Sequence, residues 1–355
     1  MRPFGVLFTN LASLFVISSI AQSAERVGGI PNFHLEPASN TLHELVLGSA
    51  CYSLPGTALD LSCNPAFLSV EEKKQFRVNV SINEQVKIVN EYRKTLDSGD
   101  PVSVVDAILN RNEPLLAKAV GSVWFQHEWW AIGYTPIRVG LASFIRNPAY
   151  PEITAHIFKE SEVFARAGFV ATEEPNFHFG VELKYLDRDF FRNRFALLDA
   201  RSAPDLLKIE KHRAFHVNPG ISYDFEGAWA SAVSLALTNL RVWQEGASIP
   251  FTPVLDVGFM TSPPFAGGKL KTTTHFTNHP DIPDLFSRFR WAAIYDWTDV
   301  VSVSAMLGKS SAGLGVNGHI DSLVLGAGIK TEEITPDQWQ SERVSTVLLE
   351  LGLVF

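Results

Sequence analysis

From Leu115 onward, apolar residues fall at every second position in one segment after another. In FHFGVELKYLD, Phe177, Phe179, Val181, Leu183 and Tyr185 share one parity, while His178, Gly180, Glu182 and Lys184 share the other. A period of two marks an extended strand with two unlike faces. The pattern returns in ISYDF, AVSLALT, LDVGF, VSVSAML and SLVLGAGI. It returns once more at the end, where Val347, Leu349, Leu351, Leu353 and Phe355 alternate with Thr346, Leu348, Glu350, Gly352 and Val354. Clusters such as TSPPFAGG, NHPDIPD and KSSAGLGVNG separate the segments and read as turns. The chain holds about 12 to 14 such segments, each near the roughly 9–11 residues that a tilted membrane strand needs. A short strand over Phe76–Ile82 precedes them.

A soluble sandwich and a membrane barrel both alternate, so the minor face has to decide. In a sandwich that face meets water, and lysines guard its edges. Here it is mostly Ser, Thr, Gly and Ala with scattered charges, which suits an enclosed, hydrated lumen. The segment FSRFRWAAIYDW sharpens the choice. Phe289, Trp291, Ala293, Tyr295 and Trp297 fall on one side, against Arg288, Arg290 and Asp296. An arginine on the lipid face at mid-bilayer costs about 2–4 kcal/mol, so these arginines should point inward and the aromatics outward. Hydrophobic residues make up 46% of the chain and charged ones 19%, below the usual share of about 25%. The expectation is an all-β, antiparallel transmembrane barrel whose apolar face meets hydrocarbon. Its lumen-facing candidates are His178, Glu182, Lys184, Asp224, Asp256, Lys271, His275, Arg288, Arg290 and Glu350. Two roles fit this mixed-sign set: hydration with ion pairs that anchor an inserted segment, or selectivity along a pathway.

The front of the chain supports export. Residues 1–21 carry an early cation, an apolar run from Phe4 to Ile17, and small residues at Ser19 and Ala21, the three parts of a secretory signal peptide. The alternative is a membrane anchor, for which the run is too short against the roughly 20 residues a helix needs. Both cysteines, Cys51 and Cys63, follow. In an oxidising compartment the pair reads as a local disulfide, the alternative being two free buried thiols. Residues 83–112 read as a helical insertion, with Ser81 and Glu84 in capping-box spacing and a second short helix over Val102–Leu109. The resulting division is a signal peptide over 1–21, a plug segment over 22–73, and the barrel with its insertion over 74–355.

Literal motif matches fail on context. GLGVNG fits a dinucleotide motif, but a strand pattern rather than a helix follows, so a hairpin loop is the reading. GKSS at Gly308–Ser311 has Val303 where a P-loop needs its first glycine. HEWWA lacks the second histidine of a zinc protease, and HFTNH reads as a solvated loop around a Thr/Asn turn. The scattered histidines give no catalytic set, so the expectation is a non-enzyme with no cofactor and no metal. The net charge of −8 argues against a nucleic-acid partner.

The stretch LHELVLGSACYSLPGTALDLSCNPAFLSV resembles the N-terminal segment of the FadL-like outer-membrane barrels, where an NPA motif precedes a Leu or Met; here Asn64, Pro65 and Ala66 precede Phe67 and Leu68. The order of elements follows the same family, with TraF-like and PorV-like barrels the nearest subgroup. The resemblance implies about 14 strands with the N-terminal segment tucked inside as a hatch. It implies a place in the outer membrane of a Gram-negative bacterium, with outer-membrane lipid as solvent and a terminal Phe355 read by the barrel-assembly machinery. Passage of small, hydrophobic solutes is one expected function. The other is an accessory or structural role in a secretion, conjugal-transfer or envelope assembly. The cysteines, and fewer glycines before NPA, depart from the family pattern, and no fatty-acid-binding residues of the family match positions here.

Overall fold

The computed structural model describes residues 41–56, 60–70, 74–86, 115–146, 152–196, 209–246, 253–279, 282, 284–337 and 340–355. Its strands are β1 (Lys74–Asn83), β2 (Leu115–His127), β3 (Trp130–Arg146), β4 (Glu152–Val170), β5 (Phe177–Ala196), β6 (Glu210–Asp224), β7 (Ala232–Thr238) and β8 (Leu240–Gly246). There follow β9 (Val254–Thr261), β10 (Leu270–Asn278), β11 (Phe289–Thr298), β12 (Val301–Gly308), β13 (Ser311–Ile320), β14 (Leu323–Asp337) and β15 (Gln340–Val354). All pairings are antiparallel. The first strand pairs with the last, Val78 opposite Leu351, and β5 pairs with β6. Fourteen strands therefore form a closed ring, with β8 as an extra. Closure pairs the peptide groups of each strand with those of its neighbours around the ring, which is what makes a β structure tenable in a bilayer.

The burial pattern is inside out relative to a soluble protein. Along β1 every second residue is buried, and the buried ones are Gln75, Arg77, Asn79, Ser81 and Asn83. Arg77 is 0% exposed while its near neighbour Val80 is 52% exposed. On β15 the exposed set is Val347, Leu349, Leu351 and Leu353, and Glu350 faces inward. Covering a Val or Leu side chain is worth about 1.5–3 kcal/mol. Six such half-exposed chains on β1 and β15 alone would forgo roughly 5–9 kcal/mol in water, comparable to a whole domain's stability of about 5–15 kcal/mol. Hydrocarbon recovers that loss. Across β5, β6 and β8, Tyr185 pairs with Phe215 and Phe215 with Trp243, all on the outer face. One step further along, Asp187, Arg213 and Glu245 form exposed ion pairs of 3.4 and 3.5 Å. This aromatic row backed by charges marks the edge of the lipid belt. The end of the barrel beyond it is here termed the upper end, and the end holding Lys74 and Phe355 the lower.

The N-terminal segment lies inside the ring. Its helix α1 (Leu42–Leu47) is capped by Thr41, whose Oγ1 accepts from the Glu44 N–H at 3.1 Å. Leu42, Leu45, Val46 and Leu47 are all buried, as befits a short helix enclosed on every side. Ala292, Ile294, Met306 and Leu348 point inward to meet them, so the lumen carries an apolar core of its own. Cys51 and Cys63 form a disulfide within this plug.

Several sequence expectations need correction. Asn83 and Ser81 belong to β1, and Ser81 is buried in the lumen, so it caps no helix. GLGVNG is the middle of β13, not a hairpin loop. Its lumen-facing Gly313 lies against the Val46 carbonyl of α1, where a Cβ would collide with plug backbone. The glycines make room for the plug. HFTNH is no solvated loop: His275 is buried within β10 and His279 is buried just past its end. Arg288 sits in a 3-10 turn (Phe286–Arg288) before β11 rather than on a strand. The signal peptide, residues 22–40 of the plug segment and the helical insertion beyond Val86 lie outside the described residues.

Candidate functional site

The plug is fastened to the wall by polar groups that the alternation pattern placed in the lumen. Two fastenings share one form. Ser53 Oγ lies 2.5 Å from His275 Nδ1, and His275 Nε2 lies 2.9 Å from Asp256 Oδ1. Lower down, Ser69 Oγ lies 2.9 Å from His178 Nδ1, and His178 Nε2 lies 3.3 Å from Asp224 Oδ2. In each case a plug serine meets a wall histidine that is backed by an aspartate on the adjoining strand. The Ser–His–Asp order is that of a hydrolytic triad, but Ser69 also donates to the Ala66 carbonyl at 2.7 Å, and Ser53 and His275 are fully buried. These groups serve as latches.

Asn64 of the NPA stretch bridges the plug to two strands. Its side-chain nitrogen donates to the Tyr52 carbonyl at 3.1 Å and reaches the Ile221 and Leu235 carbonyls of β6 and β7 at 3.4 Å each. Its oxygen accepts from the Ala66 N–H at 3.0 Å. Pro65 brings plug backbone so close to Gly168 and Gly180 that neither wall position has room for a Cβ.

A third connection runs to an interruption in the wall. Arg166 donates to the Ser62 carbonyl of the plug at 2.8 Å and pairs with Glu182. Glu182 accepts from Asn218 at 2.5 Å, and Asn218 Oδ1 accepts from the Asn239 N–H at 2.8 Å. Asn239 separates β7 from β8 and has φ of 60°, a left-handed conformation that asparagine tolerates better than most residues. Below it, β7 pairs with both β6 and β9. Above it, β8 pairs with β6 alone among the described residues. Asn239 lies below the Tyr185–Phe215–Trp243 row, so the interruption falls within the lipid belt.

Above the plug a cavity of about 220 Å³ opens toward the upper end. Leu45, Ser49 and Tyr52 of the plug form its floor, and Thr238, Asn239 and Val254 bring it to the wall interruption. Arg290 reaches across its side to donate to Ser49 at 2.6 Å, and Lys184 lies 3.7 and 3.6 Å from Glu162 and Glu182. At the rim, Asp284 accepts from the Ser287 N–H and hydroxyl and from Lys309 at 2.5 Å. The Lys309 and Ser287 hydrogen bonds hold its carboxyl down at about 2.

The structure thus brings together His178 with Asp224, Asp256 with His275, and Glu182 with Lys184. Arg290 joins the vestibule and Glu350 accepts from Asn79 at 3.3 Å. Arg288 stands at the rim, donating to the Ile282 carbonyl at 2.9 Å. Lys271 is half-buried low on β10 and joins neither latch nor vestibule. Sequence reasoning missed the most buried charges: Arg138 with Glu160 and Glu162, and Arg188 with Glu160 at 2.5 Å. In β4 the lumen face mixes Glu160, Glu162 and Arg166 with Phe158 and Phe164, which hid the parity. The mixture has a cause. Arg166 lies over the Phe164 ring at 4.7 Å and Arg188 over the Phe158 ring at 4.6 Å, a cation–π arrangement. Among the described residues no cluster of potential metal ligands occurs.

A closed antiparallel barrel with a lipid-facing belt, a latched plug and a vestibule defines a membrane-spanning, plugged β-barrel. No family model matches the sequence, and no curated protein does. Among solved structures, the Ralstonia pickettii toluene transporter TbuX aligns over 91% of this chain and 100% of its own, with a TM-score of 0.51 and 10% identity. The CymD monoaromatic hydrocarbon channel aligns over 93% and 98% at 0.47 with 9% identity, and the P. putida toluene transporter TodX over 87% and 94% at 0.45 with 8%. The likeness to TbuX is one of fold.

Proposed function

We propose that this chain resides in the outer membrane of a Gram-negative bacterium and passes small solutes, apolar ones among them, from the upper mouth into the bilayer. One observation carries the reading: the vestibule reaches the wall at Thr238, Asn239 and Val254, above which β8 pairs with β6 alone among the described residues. The latched plug fills the lumen below, so the route turns sideways. A passage between an aqueous vestibule and hydrocarbon suits molecules that partition into both. The fold shared with a toluene transporter is in keeping with this. The narrower kinship with TraF-like and PorV-like barrels, and the role of Phe355 as an assembly signal, rest on the sequence resemblance alone.

Uptake of small fluorescent or radiolabelled solutes into proteoliposomes tests the proposal. The folded barrel should raise uptake above that of protein-free vesicles. Thr238→Trp, whose ring would occupy the vestibule beside Asn239, should return it to that level. Equal uptake by the two proteins, or none by either, rejects the sideways route.

A further inference from the structure

A single row of facing residues links the two latches. Going round the wall from β5 to β11, His178 pairs with Ser222, Ser222 with Ser234, Ser234 with Gly258, Gly258 with His275, and His275 with Arg290. Barrel strands tilt by about 35–45°, so a row of opposed residues climbs as it turns. This row begins at the second residue of β5, beside the lower mouth, and ends at the second residue of β11, in the vestibule lining. At Gly258, the one position without a side chain, the plug's Ser53 Oγ takes the place of a Cβ, and Ser234 Oγ lies 3.2 Å from the same point. A polar group therefore stands at every position. Below, Asp224 has 51% of its side chain exposed and opens the His178 end to solvent. Above, Arg290 donates to Ser49, which also lines the vestibule. Between these ends the Ser222 and Ser234 hydroxyls, on residues 1% and 2% exposed, have no hydrogen-bond partner among the described residues. A hydroxyl in such a place costs free energy until something bonds to it.

We infer that the seam between plug and wall along this row binds a file of water and passes protons between the lower mouth and the vestibule. Opposed Cβ atoms of an antiparallel pair lie about 4.5–5.5 Å apart, a span that one water bridges with two ordinary hydrogen bonds. A water between Ser222 and Ser234 gains the two or more polar partners that a buried water requires. Hydroxyl, neutral imidazole and water each donate and accept. A proton taken up at the His178 end is thus matched by one released at the Ser53–His275 end, and the groups between keep their charge. The path is narrow. Plug backbone at Pro65 leaves no room for a Cβ at Gly180, two residues above His178 on β5. A hydrated ion does not fit where a methyl group does not. The inference is independent of the sideways passage of solutes, which leaves the barrel above the plug.

Proteoliposomes holding the full chain and an enclosed pH-sensitive dye test this after an acid jump outside, with potassium equal on both sides and valinomycin carrying the compensating charge. Protons should enter faster than in protein-free vesicles. Ser222→Ala combined with Ser234→Ala leaves an apolar gap, which stays dry. It should cut the protein-dependent rate about 10-fold, the weight of one to two net hydrogen bonds. Ser222→Ala alone should cut it about 3-fold, and is the variant read if the double substitution makes the plug sensitive to protease. Sodium entry, followed with a sodium-sensitive dye, should match that of protein-free vesicles. A proton rate no higher than that of protein-free vesicles, or one unmoved by the substitutions, overturns the inference. So does sodium entry that rises together with proton entry, because an open bore would then surround the plug. Solute uptake by the same vesicles should survive the substitutions, so failure of the proton path and failure of the sideways route are read apart.

Discussion

At the scale of single residues, the wall of this barrel holds charges buried against one another. Glu160 accepts from Arg138 and Arg188 at once, and all three are buried. Removing one partner of a buried pair costs about 3–5 kcal/mol, because the other charge is left uncompensated. Glu160→Gln should fall near the lower end, about 3 kcal/mol, since Arg138 keeps Glu162. Urea unfolding followed by gel mobility measures it; an unchanged midpoint refutes it. At the rim, Asp284 titrates at about 2 because Lys309 and Ser287 stabilise its charged form. A carboxyl depressed in the folded state contributes stability above its unfolded value and loses it as pH falls through the folded one. The rim contact should therefore persist from neutral pH to below pH 3 and release only near about 2. Hydrogen exchange at Ser287 reads this release, and Asp284→Asn should abolish it by loosening the turn at all pH values.

At the scale of elements, what was legible depended on whether a strand's inner face meets water or plug. The pattern of β5 was plain, because Phe179, Leu183 and Tyr185 face out while His178, Glu182 and Lys184 face in. The disulfide followed from compartment and spacing. By contrast the GLGVNG stretch of β13 has the composition of a loop, since repeated glycine is rare in a strand unless another backbone comes close. Here α1 comes close, and only the folded chain shows it. Ile294 and Leu348 were obscured for the same reason: inward apolar residues answer α1 rather than lipid. The vestibule and the Asn239 interruption had no local signature, because pairing between distant strands creates both. Gly313→Val tests the reading of β13. It should force α1 away from the wall, exposing the plug to limited proteolysis with the barrel still closed; a plug as resistant as in the wild type counts against it.

For the whole molecule, hydrocarbon rather than protein covers the larger apolar surface, and the plug supplies the smaller, interior core. The disulfide spans a 12-residue separation within that plug. Closing a loop of this size constrains the unfolded chain by about 3 kcal/mol. The double substitution Cys51→Ser, Cys63→Ser should thus lower the temperature at which the plug becomes accessible to protease, while the barrel's own heat-modifiable transition moves less. Equal shifts in both would mean that plug and wall unfold as one unit.

The seam of the cylinder adds a constraint in time. Strand β1 starts at Lys74, only a few residues after the plug's last turn at Val70, and its partner at the seam is β15. The piece to be enclosed is therefore synthesised first and the staves that shut around it last. Once β1 and β15 have zipped together, the plug's buried helix lies enclosed by wall on every side. Chain order thus favours maturation in one direction, cargo swallowed before the lid is sealed.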